Sequence, residues 1–158
     1  MINIYTIPLA FIVAYIIYSL SVIIHELGHV KKAEKYKFKM LRTKQELVNA
    51  NREKKCKLSF FILGFEFCLF GGGYTHFEKD LKTLPFNQRK DIMLAGTKLD
   101  ILYLIVLTLI YILIHFVFQY YGFIITLIYL FSLLFFIGKF IANLFFKNGD
   151  FRQLYGNK

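Results

Sequence analysis

The chain has 158 residues, 57% of them hydrophobic, with 19 Phe, 11 Tyr and no Trp. That length predicts one domain spanning 1–158, and the apolar share excludes an ordinary soluble domain of this size. The formal charge is +10. Its basic residues crowd into one stretch between apolar runs, which points to membrane topology and an anionic lipid surface and away from nucleic acid.

Residues 4–30 are predicted as the first membrane span. Residues 4–24 are nearly uninterrupted apolar, Tyr or Ser, and about 20 residues at 1.5 Å each cross a bilayer core. Pro8 falls in the first turns, where a helix tolerates it. No Lys or Arg precedes the run, it is too long for a signal h-region, and no small-residue cleavage site follows, so a retained span is expected. At its end stands His25-Glu26-Leu27-Gly28-His29, an H-E-x-x-H pattern. Two His four residues apart share one helix face and can grip a single zinc ion. Glu26 lies off that face, placed to take a proton from water at the metal. Ionisable groups at membrane depth are costly, which marks the pattern as functional.

Residues 31–57 carry eleven Lys and Arg against Glu34, Glu46 and Glu53. By the positive-inside rule this loop is cytoplasmic, with the N-terminus outside and the His pair near the cytoplasmic face. Residues 58–70 are too short to cross as a helix, rich in Phe and broken by Gly64, which fits strands. Alternation would send Phe65, Phe67 and Leu69 one way and Glu66 and Cys68 the other. Glu66 then either faces the active-site cavity or reaches the headgroups. Cys56 and Cys68 show no C-x-x-C pattern and read as two unpaired small residues. A hairpin over 58–77, re-entrant or membrane-associated, is expected beside the His pair.

After a polar connector at 81–90, a second span covers 91–118, a short turn with interfacial tyrosines follows, and a third span covers 123–146. The basic tail 147–158 agrees with a cytoplasmic C-terminus. The fold class expected is an all-α integral membrane protein of three transmembrane helices, with a small β-hairpin between the first and second. In this topology the first and third spans end on the same side, so Asp150 can meet His25 and His29 as third ligand. Asp100 and His76 are the rivals for that role.

Four segments in order carry a resemblance to the site-2 protease family of intramembrane zinc metalloproteases. His25-Glu26-Leu27-Gly28-His29 resembles the family's zinc helix. Phe70 to Phe77, with Gly72-Gly73-Tyr74-Thr75, resembles its G-G-Y-V segment. Gln88-Arg89 leading to Ala95-Gly96-Thr97-Lys98-Leu99-Asp100 resembles the Q-R…A-G-P-x-x-N start of the next helix, with Thr97 for Pro and Asp100 for Asn. Asn143 to Asp150 resembles the N-L-x-P…D-G segment whose Asp is the third ligand, here without its prolines and with Gly149 before the Asp. The chain looks like the bare three-helix core of the family.

The resemblance implies Zn2+ on His25, His29 and Asp150, with Glu26 as the proton acceptor. It implies substrate contacts at Asp100, Gly72, Gly73 and Tyr74. Substrates would be single-pass membrane helices or signal-peptide remnants in a lipid bilayer, unwound and paired with the strand edge at 58–70. A bacterial plasma membrane is the expected location. Asp100 and Lys139 each lie roughly 12 Å from the inner ends of their spans. Either they pair, or Lys139 snorkels inward and Asp100 stays protonated. Two other functions fit parts of the chain: an inactive scaffold that binds membrane helices, and a metal-handling membrane protein. The intact His-Glu-His set favours the protease.

Overall fold

A computed structural model of the chain describes residues 5–69, 72–118, 122–145 and 150. In chain order the elements are α1 (Thr6–Lys35), β1 (Met40–Leu41), α2 (Lys44–Asn49), β2 (Ser59–Ile62), β3 (Phe65–Cys68), β4 (Gly72–Tyr74) and β5 (His76–Phe77). A 3-10 turn (Leu81–Thr83), α3 (Phe86–Val117) and α4 (Gly122–Phe145) follow. The helices α1, α3 and α4 are each long and apolar enough to cross a membrane, as expected. Of the expected segments, the tail 147–158 apart from Asp150, the tyrosine turn at 120–121 and the Phe70-Gly71 step lie outside the described residues.

Pro8 sits in the first turn of α1, where backbone N–H groups have no intrahelical acceptor. The helix outruns the expected span by five residues and ends in a Schellman motif. Lys37 N–H bonds Glu34 C=O at 2.9 Å and Phe38 N–H bonds Ala33 C=O at 2.9 Å. Lys37 takes the left-handed position (φ 53) that Gly usually fills.

Contacts between the helices show their directions. His25 meets Asp100, His29 meets Ile92 and Tyr103 meets Ile17, so α1 and α3 run antiparallel. Phe11 meets Phe131, Tyr18 meets Phe135 and Lys139 meets Ser21, so α1 and α4 run parallel. The ends of α1 and α4 therefore fall on one side, as the topological argument required. Lipid is as apolar as the side chains, so burial alone does not drive these helices together. Close approach does part of the work. A Cβ on Gly28 would lie 2.8 Å from the Ala95 carbonyl carbon and oxygen. Cross-helix polar bonds such as Thr108–Tyr129 (3.1 Å) add about 0.6 kcal/mol each on average in membranes, so packing carries more than they do.

Between α1 and α3 the expected hairpin becomes a three-stranded antiparallel sheet in the order β2-β3-β4. Leu63 (φ 49) and Gly64 (φ 90) form its two-residue turn, a type I′ geometry that needs positive φ at both positions. The register pairs Ser59 with Cys68 and Ile62 with Phe65, then Glu66 with Tyr74 and Cys68 with Gly72. The central strand β3 is buried along its whole length. Phe65 and Phe67 join a core with Val22, Val30, Ile92 and Met93, set beside the His-bearing half of α1.

The structure revises three expectations. The basic loop is not irregular throughout. It holds α2, whose Thr43 cap accepts from Glu46 N–H at 3.2 Å, and β1, which pairs with β5. The Thr43-x-x-Glu46 spacing is a capping-box signal masked by the charge run. Cys56 and Cys68 are joined in a disulfide with Cα atoms 5.9 Å apart, because strand pairing brings Ser59 opposite Cys68 and carries Cys56 along. Glu66 reaches neither cavity nor headgroups: it is fully buried and holds the 55–59 segment against β3. With both edges of β3 paired, strand addition over 58–70 is confined to β2, or moves to β4.

Candidate active site

Both histidines of α1 are buried, at 4% exposure each. Their Nδ1 atoms are occupied by acceptors. His25 Nδ1–H donates to Asp100 Oδ2 and His29 Nδ1–H to the Ile92 carbonyl, each at 2.7 Å. A carboxylate and a carbonyl only accept, so in both rings a proton sits on Nδ1, and in the neutral ring the lone pair is then on Nε2. The two Nε2 atoms converge at 3.1 Å. Asp150 Oδ2 completes the triangle, 3.1 Å from His25 Nε2 and 3.3 Å from His29 Nε2.

With both rings neutral, three acceptor atoms face one another among buried residues. Asp150 Oδ2 has no hydrogen-bond partner among the described residues. Crowding acceptors without a donor is unfavourable unless a cation sits among them. The spacing suits zinc, because a tetrahedron with 2.0–2.2 Å bonds has edges of about 3.3–3.6 Å. The three residues form a group that could hold a metal ion.

The model of peptidase family M50, the site-2 protease family, matches residues 12–156. The chain belongs to peptidase family M50. Neither the comparison with curated proteins nor that with solved structures gave a match. Members of M50 are zinc metalloproteases, and the donor set of this M50 chain, two imidazoles and one carboxylate, is of the kind that binds zinc with a fourth position open.

Glu26 projects from α1 beside the triangle and is 5% exposed. It faces β4 and the residue after it. Thr75 Oγ1 donates to Glu26 Oε2 at 2.8 Å, and a Cβ on Gly73 would collide with the Glu26 side chain. Gly73 therefore serves as a close-approach position, letting the strand press against the carboxylate. Gly96 does the same for the imidazoles: a Cβ there would lie 2.7 Å from Nε2 of both histidines.

The other expected site residues fall into place around these. Asp100 sits on the Nδ1 side of His25, opposite the Nε2 pocket, and its Oδ1 takes Lys139 Nζ at 2.6 Å. Of the two arrangements open to Asp100 and Lys139, the structure has the pair. His76 lies away from the triangle, in β5, with Nε2 donating to Glu66 Oε2 at 2.8 Å. Gly72 and Tyr74 flank Gly73 in β4, so that strand borders Glu26. Thr75, Gly96 and the Ile92 carbonyl have no role in the reading of the sequence. Thr75 and Gly96 stand within the quoted segments, but their contacts come from tertiary packing and leave no local periodicity to find.

Proposed function

We propose that this M50 chain is a zinc-dependent intramembrane endopeptidase. It would hydrolyse a peptide bond within or next to a transmembrane segment of a membrane protein or signal-peptide remnant. The supporting observation is the buried triangle of His25, His29 and Asp150 with Glu26 alongside. Bound there, zinc supplies Lewis acidity, which acidifies water and polarises a peptide carbonyl. Glu26 accepts the proton of the attacking water and passes it to the leaving amine. Thr75 holds one oxygen of that carboxylate, and Gly73 keeps the approach short.

A helical substrate hides its carbonyls in hydrogen bonds, so it must unwind before it can be cut. Among the described residues β4 is hydrogen-bonded along one edge, to β3. We place the unwound segment along its other edge, at Gly72, Gly73 and Tyr74, within reach of Glu26. The lipid bilayer delivers the substrate laterally.

Zinc per purified chain tests the reading without a known substrate. Under metal-replete conditions the expected result is about one zinc in the wild type, lost in His29→Ala and Asp150→Ala and kept in Asp100→Ala, a count that follows from one tetrahedral site. A metal-free wild type would sink the proposal. With a cleavable membrane substrate, Glu26→Gln should retain zinc and lose cleavage.

A further inference from the structure

The two zinc-facing histidines are held differently. His29 donates to a backbone carbonyl, a fixture of α3 that no side-chain change removes. His25 donates to Asp100, a carboxylate on a charged node that joins all three long helices. Asp100 Oδ2 takes His25 of α1, and Asp100 Oδ1 takes Lys139 Nζ of α4 at 2.6 Å. Lys139 Nζ also donates to the Ser21 carbonyl of α1 at 3.3 Å. The side chains of Lys139 and Asp100 are 10% and 15% exposed, so water competes little for either. Ionic groups at this depth are retained at a cost, yet neither touches the triangle of ligand atoms.

We propose that Asp100 and Lys139 form a positioning pair that sets which nitrogen of His25 is free for metal. Asp100 accepts the Nδ1 proton and so turns the Nε2 lone pair toward Asp150 and His29. Lys139 has donors only, and it claims the remaining carboxylate oxygen. This arrangement needs two acceptor oxygens at position 100, one for each claimant. The inference rests on the zinc-site reading above and concerns how one ligand of that site is oriented.

The pair makes a specific prediction about an amide at position 100. Asn has one acceptor oxygen. With Lys139 present, the ammonium takes that oxygen and the amide NH2 faces His25 Nδ1. The ring must then accept at Nδ1 and carry its proton on Nε2, the atom that faces the metal. Removing the ammonium frees the amide oxygen to turn back to Nδ1–H. A damaging substitution at Asp100 is thus relieved by a second one at Lys139.

The test is zinc affinity, by competition with a chromophoric chelator, for full-length wild type, Asp100→Asn, Lys139→Met and Asp100→Asn/Lys139→Met, with melting of each zinc-free protein as a fold check. Asp100→Asn should bind zinc about 10–100-fold more weakly, the usual effect of losing a ligand's orienting partner. The double variant should recover most of that loss. Wild-type affinity in Asp100→Asn, or a double variant as weak as the single one, overturns the proposal. If Asp100→Asn alone does not fold, the double variant decides: near-wild-type affinity supports the pair and weak binding overturns it. Absence of zinc from the wild type would instead overturn the metal-site reading itself.

Discussion

Glu26 is useful as a proton acceptor only if its carboxylate stays aimed at the pocket, and the residue that aims it is Thr75. A hydrogen bond to a carboxylate contributes about 1.5–3 kcal/mol. If Glu26 must keep one rotamer through the proton transfer, losing that bond costs about tenfold or more in rate. Thr75→Val, which keeps the shape and removes the hydroxyl, should therefore lower kcat/KM by at least that factor, leave zinc content unchanged, and be rescued by Thr75→Ser. Full activity in Thr75→Val would mean that packing of Gly73 against Glu26 positions the base alone. The histidines and Glu26 were legible in the sequence because a helix converts spacing in the chain directly into spacing in space. Thr75 and Gly96 were not, since each meets the site across a contact between elements distant in the chain. Asp150 lies between: the order of the spans places it on the correct side, and only packing brings its oxygen to the two nitrogens.

At the scale of elements, the sheet beside the site hangs on Glu66. Burial would by itself raise this carboxyl, but hydrogen bonds from Ser59 Oγ, the backbone N–H of Lys55 and Cys56, and His76 Nε2 hold it below the ordinary carboxylate range. A group whose folded pKa is depressed stabilises the fold above its unfolded value, about 4.3 for Glu, and loses that contribution as pH falls through the folded value. Melting temperature of the wild type should thus fall as pH drops below about 4.3. Glu66→Gln should be less stable at pH 7 by about 1.5–3 kcal/mol, from bonds to a charge replaced by bonds to an amide, with a flatter acid limb. An unchanged acid limb in Glu66→Gln would assign the acid loss to another carboxylate. The strands themselves were legible from Phe-rich alternation and Gly64. The third strand was not, because Gly72-Gly73-Tyr74 has no alternation to read and is a strand only through its pairing with β3. The short helix α2 was hidden in the same way, by a charge pattern that dominates its capping signal.

For the whole molecule, the parallel run of α1 and α4 puts both ends of the site on one side of the helices, and the charge of the chain predicts which membrane face that is. Eleven basic residues between 31 and 57 predict the cytoplasmic side. The Cys56–Cys68 disulfide pulls the other way, since such bonds persist in oxidising compartments and glutathione keeps cytosolic thiols reduced. We propose the cytoplasmic side, because the opposite orientation would carry eleven cations across the bilayer; the two cysteines, with Cα atoms 5.9 Å apart, would then be kept as thiols in the cell. Asn51, exposed in the turn after α2, is the place to test it. In a Cys56→Ser/Cys68→Ser background, Asn51→Cys should resist a membrane-impermeant maleimide in sealed right-side-out vesicles and react in inverted ones. In parallel, both native thiols should alkylate when cells are quenched with a permeant reagent. Labelling of Asn51→Cys from the outside would invert the protein. It would put the site on the outer face, make the disulfide a standing part of the sheet next to Glu26, and require substrates whose cut segment is reached from that side.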